Sequence, residues 1–135
     1  REIIRALKQG YLVGALIDQD VPKLRGEFVD FFGVPAFTPT GPAILSLKYE
    51  APIVPIMTYR DKNHNHHACI GEPVAIEPTG DLDRDALALT TACSKVSEDF
   101  IRAHPEQWVW FHRRWNTRPE AVAAKMQPEE GGARS

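Results

Sequence analysis

Tyr11-Leu12-Val13-Gly14-Ala15-Leu16-Ile17-Asp18-Gln19-Asp20 is the stretch on which the fold class turns. It runs from Tyr11 to Ile17 without a charge and stops at a polar cluster holding two aspartates. A short apolar run with polar ends suits a strand buried on both faces, the kind a parallel sheet requires, better than it suits a helix. Ligands in open α/β sheets gather at the carboxyl ends of strands, so Asp18 and Asp20 stand where chemistry is expected. An Asp-rich turn or helix cap that touches no substrate accounts for the same residues.

Upstream of this run, Ile3, Ile4 and Leu7 recur at helical spacing between charges, and Gly10 supplies a stop, which predicts the last half of an amphipathic helix. Downstream, Val21 to Gly33 predicts a loop and then a short extended stretch. Thr38-Pro39-Thr40-Gly41-Pro42 has the composition of a cap leading into a helix that carries Ala43, Ile44, Leu45, Leu47 and Tyr49. Free amides at such a helix start attract anions, although most capped helices bind none. Ala51 to Met57 predicts a second strand, with prolines where a first position or a sheet edge tolerates them, and a polar turn over Asp61 to His66 leads to a third at Ala68 to Ile76.

Asp81 to Arg102 has the spacing of a long helix, with Leu82, Leu87, Leu89, Val96, Phe100 and Ile101 as its candidate buried stripe. Pro105 interrupts it, and a further short aromatic helix is expected over Glu106 to Trp115. The alternation of helices and strands predicts an α/β fold with a mixed sheet flanked by helices. The domain is expected to occupy residues 1–120, with a polar, disordered tail over 121–135. Because the sequence opens inside a helical pattern, it is read as the C-terminal part of a longer, incomplete domain.

Composition narrows the function classes. A hydrophobic content of 43% and a charged content of 25% are those of an ordinary globular domain, which argues against disorder and against a bilayer-embedded chain. No apolar run approaches the roughly 18 residues of a spanning helix, so membrane contact must be peripheral or come from another segment. A formal net charge of -2 excludes a whole-domain basic field for nucleic acid. Cys69 and Cys93 are far apart without metal-ligand spacing and read as reduced thiols of a cytoplasmic setting.

His64, His66 and His67 cluster in a polar turn with Asn63 and Asn65, which favours a solvated turn over a metal site. His67 and Glu72 form a formal His-x4-Glu, the spacing with which acyltransferases pair a base and a carboxylate. On a strand, side chains five apart face opposite ways, so this pair is a decoy. Glu106 to Trp115 holds three tryptophans with Arg113 and Arg114, which unites planar cationic forks with side chains suited to a water-to-lipid boundary. A helix whose aromatic face closes the core and whose arginines are solvated is the plainer account.

Five segments occur here in the order seen in one family: Asp18-Gln19-Asp20, Phe31-Phe32-Gly33-Val34-Pro35, Thr38-Pro39-Thr40-Gly41, Pro52-Ile53-Val54-Pro55, and the run from Pro105-Glu106-Gln107-Trp108 to Arg113-Arg114-Trp115. From Arg1 to about Glu120 the chain resembles the bacterial lipid A biosynthesis lauroyl and myristoyl acyltransferases. The resemblance implies a glycerol-phosphate-acyltransferase-like α/β sandwich behind an N-terminal membrane anchor, at the cytoplasmic face of the inner membrane. The implied activity moves a fatty acyl chain from acyl carrier protein to a hydroxyl of a Kdo-bearing lipid A precursor, with no cofactor and no metal. Its histidine and carboxylate lie in a His-x4-Asp or His-x4-Glu motif N-terminal to these residues, so the present chain is expected to frame the site and to be inactive alone.

Under that resemblance Asp20 is the residue expected beside the chemistry. Asp18, Phe32, Gly33, Thr40, Gly41 and Pro55 are expected to shape the acceptor and acyl site. Lys23 and Arg25 are expected to meet anionic head groups or the carrier's phosphopantetheine, and Arg113 and Arg114, with Trp115, to form an interfacial or phosphate-facing element. Two other readings stay open: an acyltransferase acting on phosphatidylinositol mannosides, and a non-catalytic module that binds lipid or carrier protein.

Overall fold

The computed structural model describes residues 1–126 of the chain. Its first helix, α1 (Glu2–Lys8), is followed by an antiparallel hairpin of β1 (Gly26–Phe31) and β2 (Val34–Pro39), and then by α2 (Gly41–Tyr49). A second antiparallel hairpin joins β3 (Ile56–Arg60) to β4 (His66–Ile70). The long α3 (Leu82–Ala103), a single 3-10 turn at Pro105–Gln107 and α4 (Pro119–Met126) complete the order.

The helix α3 organises the rest. Asp81 caps it by accepting from the amides of Asp83 and Arg84 at 3.0 and 3.1 Å. Its buried positions are Asp85, Ala86, Leu89, Thr90, Cys93, Ser94, Ser97, Glu98 and Ile101, pairs that recur every four residues and so form one face. Most are small, which lets α2 and β1 approach closely. The buried hydroxyls of Thr90 and Ser97 donate back to the carbonyls of Ala86 and Cys93, at 2.7 and 3.2 Å, so both donors are satisfied within the helix. Of the six residues expected in the stripe only Leu89 and Ile101 are buried, and Leu87 is exposed. The larger side chains flank a seam that the small ones define.

Two clusters pack on this face. Ala86, Leu89 and Cys93 meet Ala43 of α2, with Ile17, Ile53, Val74 and Ile76 against them. Ile101 meets Phe31 and Ala36 of the first hairpin, closed by Phe32, Trp108 and Trp115. The hairpin itself depends on Gly26, where an added Cβ would stand 2.6 Å from the Thr38 carbonyl oxygen. Its loop is Phe32-Gly33, with φ of 57° and 77°, a two-residue turn of the kind that matches strand twist.

Several sequence expectations change. Both strand pairs among the described residues are antiparallel, so the sheet is not mixed. Tyr11 to Ile17 lies outside any strand, and Leu12 is fully exposed: an apolar run becomes a strand only where another strand is alongside to take its amides and carbonyls. The strand expected over Ala51 to Met57 begins at Ile56, because Pro52 and Pro55 have no amide to offer a ladder; before it only Ile53 bridges to Val74. That expected over Ala68 to Ile76 shifts to His66–Ile70 as its partner. Glu106 to Trp115 is a chain of turns after the 3-10 turn, not a helix. The expected tail begins inside α4; its part beyond residue 126 lies outside the described residues.

Candidate active-site frame

Three lengths of chain meet at Arg114. The end of β2 offers the Phe37 carbonyl and the Thr38 hydroxyl, the Asp18–Asp20 segment supplies negative charge, and the aromatic run after α3 brings the guanidinium. Arg114 is 1% exposed, donating from Nη1 to the Phe37 oxygen at 2.7 Å and from Nη2 to Thr38 Oγ1 at 2.6 Å. Thr38 in turn donates its hydroxyl hydrogen bond to the Ala36 carbonyl at 3.0 Å. The guanidinium also lies 5.0 Å from the centre of the Phe31 ring. Burial lowers its pKa from the ordinary arginine value, and the charges of Asp18 and Asp20 oppose that shift. Among the described residues Arg114 Nε and Trp115 Nε1 are buried without a hydrogen-bond partner.

Asp20 and Asp18 tie the loop before β1 to the same aromatic run. The Asp20 carboxylate accepts from the Thr117 amide and from its hydroxyl, at 2.5 and 2.6 Å. His112 spans a second crossing, with Nε2 3.1 Å from the Asp18 carbonyl oxygen and Nδ1 2.8 Å from that of Val109. A neutral imidazole can donate to only one of the two. The aromatic run is thus pinned at His112, Arg114 and Thr117.

Beside this junction opens an apolar groove of about 830 Å³. Ile17, Ala43, Ile53, Ile56, Val74 and Ile101 are among its walls, and Asp18 and Trp108 also border it. The Cys93 thiol in its lining is pushed up to about 11 by burial, so it stays protonated near neutral pH and is no nucleophile there.

The expected site residues are dispersed over the fold. Asp18, Gly41 and Pro55 line the groove. Asp20 and Arg114 belong to the junction, the latter spending its fork on β2. Lys23 and Arg25 lie on the exposed loop before β1, where Arg25 pairs with Asp83 of α3 at 2.8 Å in an exposed contact worth little on its own. Phe32 and Gly33 form the hairpin turn, where Glu98 accepts the Phe32 amide at 2.9 Å and Asp30 that of Gly33 at 3.0 Å. Thr40 is buried and stands at the start of α2, yet its hydroxyl faces the Arg25 carbonyl at 3.5 Å instead of capping the helix. Arg113 is exposed.

Thr38, Glu98, His112 and Thr117 were not singled out by sequence reasoning. His112 sits within a quoted motif, but its partner is 94 residues away, and Thr117 meets Asp20 across 97. The histidine turn behaves as a solvated turn: His67 Nε2 lies 2.8 Å from Asp61 Oδ2, and Glu72 is not its partner. That contact, with the amides of Asn65 and Asn63, holds the Asp61 carboxyl well below the usual carboxylate range.

The model of one family, bacterial lipid A biosynthesis acyltransferase, matches residues 1–117. The chain is 35% identical over 124 residues to a lipid A biosynthesis lauroyltransferase of Escherichia coli (strain K12), covering 91% of this chain and 40% of that protein. It is 30% identical over 120 residues to a lipid A biosynthesis palmitoleoyltransferase of the same organism, covering 88% and 38%. A lipid A biosynthesis acyltransferase of Haemophilus influenzae is 27% identical over 124 residues, covering 89% and 38%. The chain therefore spans about two fifths of the length of these relatives.

Proposed function

The chain belongs to the bacterial lipid A biosynthesis acyltransferase family, and from that premise we propose that it frames the acyl and acceptor site of an O-acyltransferase. The reaction moves a fatty acyl chain from an acyl-carrier-protein thioester to a hydroxyl of a Kdo-bearing lipid A precursor. The observation that carries this reading is the apolar groove bordered by Asp18, since an acyl chain needs an apolar trough that opens beside polar groups. The relatives are named for lipid A, and nothing in the geometry favours a mannoside acceptor.

In this scheme a histidine of a His-x4-Asp or His-x4-Glu motif, outside these 135 residues, takes the proton of the acceptor hydroxyl. The alkoxide oxygen attacks the thioester carbonyl, the carbon–sulfur bond breaks, and the departing thiolate takes the proton from the histidine. No step needs a metal or cofactor. The present residues hold and orient: the groove takes the acyl chain, Gly41 and Pro55 shape its wall, and Asp20, fixed by Thr117, stands beside the reacting groups. Lys23, Arg25 and Arg113 meet phosphate on donor or acceptor, while Arg114 holds the end of β2 on which Thr40 and the start of α2 depend. Phe32 and Gly33 set the hairpin edge of the same frame. The site works at the cytoplasmic face of the inner membrane; no described helix is long and apolar enough to cross a membrane, so a spanning anchor would lie elsewhere in the protein.

Transfer from acyl carrier protein to a Kdo-bearing precursor, measured with the complete enzyme, tests the reading. Val54 lines the groove near its surface, and Val54→Trp is expected to shift preference toward shorter acyl chains by about tenfold in kcat/KM. An unchanged chain-length profile would remove the groove from the site. In the same assay Lys23→Ala with Arg25→Ala raises the KM of the donor or the acceptor by about tenfold, and no change in either removes both residues.

A further inference from the structure

The imidazole of His112 touches two residues that border the groove, and we propose that His112 is a positioning residue for Asp18, holding the Asp18 carbonyl from Nε2. The proposal rests on the reading of the groove as the acyl site. The ring stands edge-on against Trp108, with centres 4.9 Å apart and planes at 83°, and Trp108 and Asp18 both border the groove. Nδ1 lies 2.8 Å from the Val109 carbonyl oxygen, three residues back in the same run of turns. Nε2 lies 3.1 Å from the Asp18 carbonyl oxygen, 94 residues away. Opposite edges of one rigid ring thus reach a local turn and a distant loop, and packing against Trp108 limits the rotamers by which the ring could leave either.

The two contacts do not carry equal weight. Only a ring with protons on both nitrogens donates to both carbonyls, and a ring with one proton leaves one of them to other donors. The Val109 oxygen has such a donor, since it also takes the backbone amide of His112 at 3.1 Å. Among the described residues the Asp18 carbonyl has none besides Nε2. The Nε2 bond is therefore the one whose loss strands an acceptor. It also holds Asp18 differently from its neighbour. Asp20 is fixed through its carboxylate, on the amide and hydroxyl of Thr117, whereas Asp18 is fixed through its main chain. The Asp18 carboxylate makes no hydrogen bond among the described residues, so a tie at the carbonyl orients it toward the groove without consuming it. A histidine that served the turn alone would need Nδ1 and Val109 only.

Asparagine and glutamine separate the two nitrogens, because the asparagine amide stands in for Nδ1 and the longer glutamine amide for Nε2. In the complete enzyme, His112→Asn and His112→Ala are expected to lower kcat for acyl transfer about tenfold, with the KM of donor and acceptor within about twofold. His112→Gln should stay within about threefold of wild type. A protease that cuts before aspartate supplies a readout that needs no substrate. Cleavage of the native enzyme at Asp18 and Asp20, mapped by mass spectrometry, should quicken about fivefold in His112→Asn and His112→Ala but not in His112→Gln. Equal losses in His112→Asn and His112→Gln, of kcat or of fold, overturn the proposal, and so does an unchanged kcat in all three variants. Retention in His112→Asn with loss in His112→Gln overturns it too, assigning the ring to the turn alone. A wild-type enzyme that transfers no acyl chain removes the reading of the groove instead, and the cleavage rates then still decide whether His112 holds Asp18.

Discussion

Arg114 shows how a residue can carry a recognisable chemistry and spend it inside the protein. Sequence pattern identifies a planar cation next to tryptophans; only the fold directs its fork at the Phe37 carbonyl and Thr38 hydroxyl. Lysine at this position keeps the charge but cannot span both acceptors, so Arg114→Lys is expected to destabilise the chain by about 2 kcal/mol in urea denaturation. Asp85 is a second such residue. Hydrogen bonds from the hydroxyl and amide of Thr79, and from the Gly80 amide, lower its pKa from the ordinary carboxylate value. A depressed carboxyl contributes stability above its unfolded pKa and loses that contribution as pH falls toward the folded value. Chemical denaturation at a series of pH values should therefore show a loss of stability below about pH 4 that Asp85→Asn makes shallower. The role of Arg114 is not legible locally, because its acceptors lie 76 and 77 residues away, whereas Asp85 takes its donors from Thr79 and Gly80 just ahead of its own helix. Asp18 and Asp20 stand out in the sequence as a polar cluster after an apolar run, but their ties to His112 and Thr117 cross more than ninety residues.

At the scale of elements, the hairpin turn is the place where local preference and packing conflict. Both turn positions have positive φ, which Gly33 adopts freely and Phe32 does not. Phe32 is held there because its ring packs 4.8 Å from Phe31 and 5.8 Å from Trp110, with Arg102 above it. Nothing lies within 4 Å of a Cβ built on Gly33, so Gly33→Ala carries a backbone penalty alone. It is expected to cost about 1 kcal/mol and to lower the midpoint of thermal unfolding by several degrees. Helices α1, α2 and α3 and the turn at Asp61 were readable, since caps, stops and a 3.6-residue period are written in neighbouring residues. Tyr11 to Ile17 and Glu106 to Trp115 were not. A strand needs a partner that the local pattern does not contain, and an aromatic run gives no sign of whether its rings pack along a helix or around separate turns.

Across the whole molecule, the sequence conveyed the class, helices with strands, but not the pairing, which is two antiparallel hairpins: the first packs on α3, and the second is largely exposed and meets the residues just after α3 through Tyr59 stacked on His104. The ordered motifs were the readable part of the site, and the structure distributes them over a groove, a buried junction, an exposed loop and a hairpin turn. The groove itself could not be foreseen, because its walls come from α2, the Pro52–Pro55 segment, α3 and the loop after α1. The two thiols described by this fold have a practical consequence. Cys69 is exposed on β4, whereas Cys93 is buried on α3 with its thiol pushed up to about 11. A maleimide reagent at neutral pH should therefore modify the native chain once, at Cys69, and a second time only when α3 parts from its neighbours. Mass spectrometry of the labelled chain across a urea series would then count opened molecules one by one; two additions in the absence of urea would show that the α3 seam is open in the native protein. The wild-type sequence thus carries one attachment point for a spectroscopic probe and one internal recorder of unfolding, with no residue altered.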